Sequence, residues 1–228
     1  MFQSLVDGMS YLMNLLFSFT AMIHLPNYGL AIILLTVLIK IALYPLSAKQ
    51  MRSMVLMQQL APKVKEIQEK YKEKDPQKMQ KKIMELYQQN KVNPMSGCLP
   101  LIVQLPILIA LYRALLYFKY TNPAYAGFLW ISNLSQVGDH LFILPLLAGV
   151  TTYLQSKMTM TTNDPTQRIM LYTMPVFIVY ICTTVPAGLS LYWVVFNIMG
   201  IIQQYFVNKQ IAGIKEAITE SGGSGKGR

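Results

Sequence analysis

Residues 28–47 read YGLAIILLTVLIKIALYPLS, an apolar run interrupted by one charge, Lys40. A bilayer core takes ~20 such residues, with a range of ~17–25. The composition of the whole chain supports a membrane reading. Of 228 residues 53% are apolar and only 13% charged, with a mean hydropathy of +0.35. That charged share is about half the usual one for a soluble domain. So few charges do not cover a soluble surface of this size, and a disordered or fibrous chain is excluded.

Outward from that run, four more apolar stretches reach spanning length, at about 97–118, 141–158, 169–185 and 187–207. The third and fourth spans are the shortest. Only Val185-Pro186-Ala187 separates the last two, which therefore form a tight hairpin. The first 24 residues differ. Gln3, Asp7, Asn14 and Ser18 recur at helical spacing on one face. Such an amphipathic helix is expected to lie in the interface, with a sixth span as the alternative. No Lys or Arg precedes Lys40, so the basic start of a secretory signal is missing.

The net charge of +10 points to nucleic acid in a soluble protein and to loop topology in a membrane protein. Its distribution favours topology. Seventeen of the 20 Lys and Arg fall in segment 49–91, at Lys157 and Arg168, or after residue 208. The opposite side carries only Lys119, and Lys40 and Arg113 lie within spans. Five spans, with the N-terminus outside and the C-terminus in the cytoplasm, satisfy this count.

The basic segment has its own pattern. Leu56, Leu60, Val64, Ile67 and Tyr71 predict one helix. Asp75-Pro76 then reads as an N-cap and first helical residue, opening a second helix with Met79, Ile83, Leu86 and Tyr87 on one face. Together they predict a cytoplasmic helical hairpin. Residues 221–228 are rich in Gly and Ser and are expected to be unstructured. The expected architecture is all-α and polytopic: an outer amphipathic helix (1–26), span one (27–48), the hairpin (49–95), span two (96–118), an outer loop (119–140), spans three to five (141–208) and a cytoplasmic tail (209–228).

Catalytic patterns are missing. No Asp or Glu falls within a span, His24 and His140 lie at predicted boundaries, and no phosphate-binding or hydrolase motif occurs. Cys98 and Cys182 have no metal spacing and read as apolar packing residues. No enzyme, cofactor or metal is expected.

Lys40 is the most informative residue. With a span ending near Ser47, it lies about 12 Å deep at ~1.5 Å per residue. A charge there costs about 2.5–3.5 kcal/mol. It therefore faces a hydrated cavity or snorkels to the headgroups. Thr36 sits one turn away on the same face, and Gln104, Gln155, Asn197 and Gln204 add polar groups in other spans. Each alone reads as an interhelical hydrogen-bond partner; their number beside one cation favours a polar cavity. Arg113 snorkels to the outer side. Tyr192 and Trp193 read as interface anchors or groove wall, with anchors slightly favoured. Pro100, Pro106, Pro145 and Pro175 predict kinks or wide packing. Neither inverted repeats nor paired ionisable residues favour the alternative of a small transporter or channel. A purely structural assembly factor is a third option.

In combination, several stretches resemble the YidC-type membrane protein insertases. These are Asn93-Pro-Met-Ser-Gly-Cys-Leu-Pro100 with Gln104, Pro106 and Ala110-Leu-Tyr112, together with Tyr44-Pro45-Leu46, Ile143-Leu-Pro145, Gly149-Val-Thr151 and Pro186-Ala-Gly-Leu-Ser-Leu-Tyr192. The resemblance covers about residues 28–209. It implies a five-span core in the bacterial plasma (inner) membrane and a hydrophilic groove open to cytoplasm and lipid but closed outside. It further implies insertion and folding of nascent membrane proteins, alone or beside the Sec translocon, with ribosome and signal-recognition machinery as further partners through the hairpin. Nucleic acid is not among the expected partners. The family's groove usually carries an arginine where this chain has Lys40. Lysine keeps the charge but loses the planar, bidentate donor set. Thr36 and Gln104 match other groove-lining positions, and Tyr192 and Trp193 match aromatic positions that contact substrate. The sequence holds neither the large extracytoplasmic domain of many Gram-negative members nor the long basic tail that binds ribosomes in some relatives. It is thus expected to be a short member or a trimmed core, with modest direct ribosome affinity.

Overall fold

The computed structural model describes residues 2–71, 74–90, 92–93, 99–118, 120–160 and 165–223, with side chains described as far as residue 210. Lys119, the Pro94–Cys98 part of the insertase-like motif and the last five residues lie outside the described residues. The described chain is helical. In order come α1 (Phe2–Met22), α2 (Tyr28–Ala42), α3 (Tyr44–Tyr71), α4 (Pro76–Gln89), α5 (Leu99–Leu116), a short 3-10 turn (Pro123–Tyr125), α6 (Ile143–Thr159), α7 (Pro165–Thr184) and α8 (Ala187–Gly223). No strand longer than an isolated bridge occurs among the described residues.

Helix α1 has three faces. Val6, Met9, Met13, Leu16, Phe17 and Thr20 are buried against α2 and α5. Gln3, Asp7 and Ser18 lie exposed on a second face, with Asn14 half-buried beside them. Leu5, Leu12, Leu15 and Phe19 form a third, apolar and exposed. A helix with one core-facing, one polar and one exposed apolar stripe suits a boundary between water and lipid.

Helix α2 starts at Asn27, whose side chain accepts from the Gly29 (2.7 Å) and Leu30 (3.2 Å) amides while its own amide donates to the Gly127 carbonyl. It ends earlier than the hydropathy predicts. The chain bends by 66° between Ala42 and Tyr44, not near residue 47. Pro45 is the physical cause: it has no N–H to bond back to Ile41, and its ring crowds that carbonyl. Helix α3 therefore begins inside the predicted span, and Lys40 lies in the last turn of α2.

Helix α3 docks on α8 and α6 near its start. Arg52 reaches Gln210 (3.3 Å), and the Gln58 amide donates to the Met160 carbonyl (2.8 Å). Its buried residues are Gln50, Met51, Val55, Leu60 and Val64. Leu56, expected on the packed face, is exposed and Val55 takes its place. The register shifts because the buried face is set by α8, not by the α4 contact alone. Asp75 caps α4 through the Lys78 amide at 2.9 Å, and Pro76 occupies its first turn. Helix α4 packs on the end of α3 and buries none of its own residues.

Pro106 and Pro175 interrupt α5 and α7 internally, as does Pro62 in α3. Pro100 and Pro145 stand instead in the first turns of α5 and α6. There no backbone hydrogen bond is lost, so the expectation of a kink fails at both. Helix α8 continues past the predicted span end, and 221–223, expected to be unstructured, extend it.

Helices α6, α7 and α8 pack together, and α2 packs on α8. Outward they present Leu38, Ile41, Leu146, Val150, Val176, Phe177, Tyr180, Ile202 and Phe206, and α5 presents Ile102, all exposed. A water-soluble monomer does not expose apolar surface on this scale, whereas a bilayer solvates it. Among the described residues, only Ala187–Gln210 of α8 is long and apolar enough to cross a membrane as one straight helix. The bent α2–α3 pair makes a second when taken together. Helices α5 and α6, at 18 and 17 residues, are short for a straight crossing.

Candidate functional site: a buried lysine at the α2–α3 bend

Thr36 and Lys40 lie one turn apart on α2, on the face that meets α8. Tyr192 and Phe196 lie one turn apart on the facing side of α8. Lys40 is 4% exposed, and its Nζ lies 3.4 Å from the centre of the Phe196 ring. That is cation–π geometry, worth ~2 kcal/mol or more when desolvated. No carboxylate among the described residues pairs with Lys40; the Lys65–Glu69 ion pair lies elsewhere, exposed on α3.

A cavity of about 30 Å³ adjoins Lys40. Ser47, Gln50 and Gln104 contribute polar groups to its wall, and Leu43, Leu46, Val103 and Phe196 make up the apolar remainder. The bend at Leu43 makes it possible, because a straight α2–α3 helix would carry Ser47 and Gln50 away along its axis. Gln104 of α5 donates to the Tyr192 hydroxyl at 2.6 Å, fixing α5 against α8. Tyr192 is 1% exposed and so is no interface anchor, contrary to the slight preference from sequence.

The remaining candidates fall elsewhere. The Thr36 hydroxyl donates to the Ile32 carbonyl (2.7 Å) and is fully buried. Trp193 and Asn197 face α6, on the other flank of α8, and Gln155 lies on α6 itself. Asn197 donates to Thr151 (3.2 Å) and Thr152 (2.8 Å), and the Trp193 indole donates to Thr152 (3.2 Å). Gln155 packs over Gly200, where a Cβ would collide with its amide. The Trp193–Asn197–Thr152 network joins two helices through satisfied hydrogen bonds. The structure thus gathers Lys40 and Gln104 at one cavity, with Tyr192 hydrogen-bonded to Gln104, and separates them from Trp193, Asn197 and Gln155. Arg113 lies exposed in the last turn of α5.

Phe196, Ser47 and Gln50 do not emerge from the sequence reading. Phe196 sits one turn beyond Tyr192, a spacing that places both on one face of α8. Gln50 has only Pro45 as a signal, since the break that Pro45 causes turns α3 toward Lys40.

About 18 Å from Lys40 along α2, at ~1.5 Å per residue, aromatic side chains fill the opposite end. Tyr28 stacks on Phe17 (centroids 4.0 Å apart) and meets Phe118 and Tyr120 edge-on at 5.3 and 4.7 Å. Its hydroxyl donates to Asn14 (3.2 Å) and accepts from the Thr121 amide (3.0 Å). Nearby, the loop between α5 and α6 is tied to the start of α8. The Ala187 and Gly188 amides donate to the Gln136 and Leu134 carbonyls, each at 2.8 Å. One end of the bundle is therefore closed by aromatic packing and backbone bonds, while the other holds a cation beside a cavity.

Comparison with known proteins places this geometry. A sequence model of the family described as 60Kd inner membrane protein matches residues 18–215. The membrane protein insertase YidC of Wolinella succinogenes is 47% identical over 192 residues, covering 84% of this chain and 35% of that protein. The YidC insertase of Geobacter metallireducens is 45% identical over 189 residues (83% and 35%). That of Campylobacter jejuni is 45% identical over 200 residues (86% and 37%). The chain spans about a third of the length of these curated relatives. An active YidC insertase crystal structure with its first transmembrane domain resolved matches with a TM-score of 0.71 and 29% identity, over 90% of this chain and 46% of that one. The chain belongs to the 60Kd inner membrane protein family, that of the YidC-type membrane protein insertases.

Proposed function

We propose that this chain inserts and folds nascent membrane proteins through an intramembrane groove centred on Lys40, without catalysis and without a cofactor. The observation that carries the reading is a buried lysine with an aromatic ring but, among the described residues, no carboxylate as partner, beside a cavity into whose wall Ser47, Gln50 and Gln104 bring polar groups. A polar substrate segment entering there exchanges water for a fixed cation and amide groups, which lowers the cost of moving it inward. Partition of the substrate's apolar segment into lipid supplies the driving force. Short outer segments with one or two acidic residues benefit most.

In this reading five spans cross the membrane, α5 and α6 through a locally thinned bilayer. The basic excess of 49–91 and of the tail sets the N-terminus outside and the C-terminus in the cytoplasm. Helices α3 and α4 then project into the cytoplasm, where they meet nascent chains, the ribosome and signal-recognition machinery, and the Sec translocon handles more highly charged segments. Gln104 and Tyr192 line the substrate path beside Lys40. Thr36, Gln155, Trp193 and Asn197 extend it along α2 and the α6–α8 flank.

The test is insertion of a single-span substrate with an acidic tail into proteoliposomes, read by protease protection. Lys40→Ala and Lys40→Arg proteins and empty liposomes are compared with the unmodified chain. Insertion by the unmodified and arginine proteins, with loss in the alanine variant, is the expected result. Insertion no better than in empty liposomes overturns the autonomous reading and leaves a translocon-bound assembly role.

A further inference from the structure

Gln50 is a buried polar group that the groove reading leaves without a role. It stands in the second turn of α3, 6% exposed, and lines the same cavity as Lys40. Its Nε2 is fully buried and donates to nothing among the described residues. A buried donor without an acceptor is destabilising and rare in a folded chain. The Lys40 ammonium beside the same space also meets no oxygen partner among the described residues; its contact is with the face of the Phe196 ring. Gln104, the other amide in the wall, already donates to Tyr192.

Two unpartnered donor groups therefore border one cavity. Along an unbroken helix, residues 40 and 50 would stand about 15 Å apart. The 66° bend before Tyr44 brings both to the same space. A ligand that completes this arrangement supplies two acceptor oxygens close together and a negative charge. A carboxylate does so, placing one oxygen on the ammonium and the other on the amide N–H. A neutral amide offers a single oxygen and no charge, and leaves one donor poorly matched.

We infer that Gln50 and Lys40 form a two-donor subsite for an acidic side chain of the substrate, with Gln50 selecting carboxylate over amide. This rests on the insertase reading and refines it: the cation supplies attraction, and Gln50 supplies discrimination at the bend. Gln50 is a specificity-determining residue, distinct from the charge itself.

The test uses the full chain in proteoliposomes and two single-span substrates that differ only by Asp or Asn at one tail position. Protected substrate is measured over time for each. The unmodified protein is expected to insert the Asp tail faster. Gln50→Leu is expected to reduce that Asp-over-Asn ratio by about tenfold, in keeping with loss of one charge-assisted hydrogen bond, with the Asp tail losing far more than the Asn tail. Gln50→Glu places a carboxylate beside Lys40 and is expected to invert the ratio. An unchanged ratio in both variants overturns the subsite. So does an equal loss of both tails, which marks a purely structural residue, or the absence of any Asp preference in the unmodified protein. If the unmodified protein inserts neither tail above empty liposomes, it is the insertase reading itself that fails.

Discussion

Lys40 Nζ sits 3.4 Å above the centre of the Phe196 ring, so the buried cation of α2 is held by the aromatic face of α8. The ring attracts the ammonium without neutralising it, which leaves the charge available to a carboxylate. Stability and function then pull in opposite directions. Lys40→Met shortens the unbranched side chain by one atom and removes a poorly solvated charge, which is expected to raise stability by about 1–3 kcal/mol. Under the proposed function the same change is expected to abolish the advantage of acidic tails in the insertion assay. A thermal midpoint that rises while insertion falls is the expected signature. Phe196→Leu is expected to lower the midpoint, because the ammonium loses its one partner, and to do so much less in a Lys40→Met background. Equal effects of Phe196→Leu in both backgrounds would show that the ring acts through packing alone.

Tyr28 joins α1, α2 and the chain after α5 through one ring and one hydroxyl. The two kinds of contact separate experimentally. Tyr28→Phe keeps the stack on Phe17 and loses two hydrogen bonds, at a cost of about 1–2 kcal/mol. Tyr28→Ala opens a cavity among Phe17, Phe118 and Tyr120, at about 3–5 kcal/mol. Denaturation in detergent micelles should rank them in that order. Protease access to the α1–α2 connection should rise only in the alanine variant.

Gly29 allows a close approach. A Cβ there would fall against the ring and Cβ of Phe128, in the loop that covers the start of α2. Alanine normally gains ~1 kcal/mol over glycine inside a helix. The overlap costs about 1–3 kcal/mol and involves the part of Phe128 nearest its own backbone. Gly29→Ala is therefore expected to lower the thermal midpoint, and Phe128→Leu to restore part of the loss. A midpoint raised by Gly29→Ala alone would mean that the loop moves aside freely.

Features that rest on neighbours in sequence were legible from sequence. Asp75 before Pro76 marks the start of α4 because both act on the next three residues. The polar stripe of α1 follows from helical spacing in the same way. What failed is set by contacts between distant segments. Nothing near Tyr192 says that its hydroxyl meets Gln104, 88 residues away, so an aromatic residue near a span end resembled an anchor. Pro45 was visible, yet the apolar run continues through Leu46 and hid the bend, since hydropathy measures solvation and not backbone continuity. The exchange of Val55 for Leu56 on the buried face of α3 has the same origin: α8 selects the face.

Asp139 orders the entry to α6. Its carboxylate accepts from the Leu144 amide (2.8 Å), the Leu141 amide (3.2 Å) and the Trp130 indole (3.0 Å). Phe142, with φ 58°, turns the chain in a left-handed conformation between those contacts. Partial burial alone pushes the carboxyl pKa up, but the hydrogen bonds together outweigh it and hold Asp139 below its ordinary value. A carboxyl whose folded pKa is depressed stabilises the fold above its unfolded pKa, ~3.9. That contribution is lost as pH falls from there through the lower folded value. The thermal midpoint of the unmodified protein should therefore drop on acidification below about pH 4. Asp139→Asn should start lower at neutral pH, because an amide accepts more weakly and brings a donor that faces other donors, and its midpoint should fall less over the same acid range. Parallel curves for the two proteins between neutral pH and pH ~3 would show that other carboxylates govern the acid limb and that Asp139 acts there as a turn residue only.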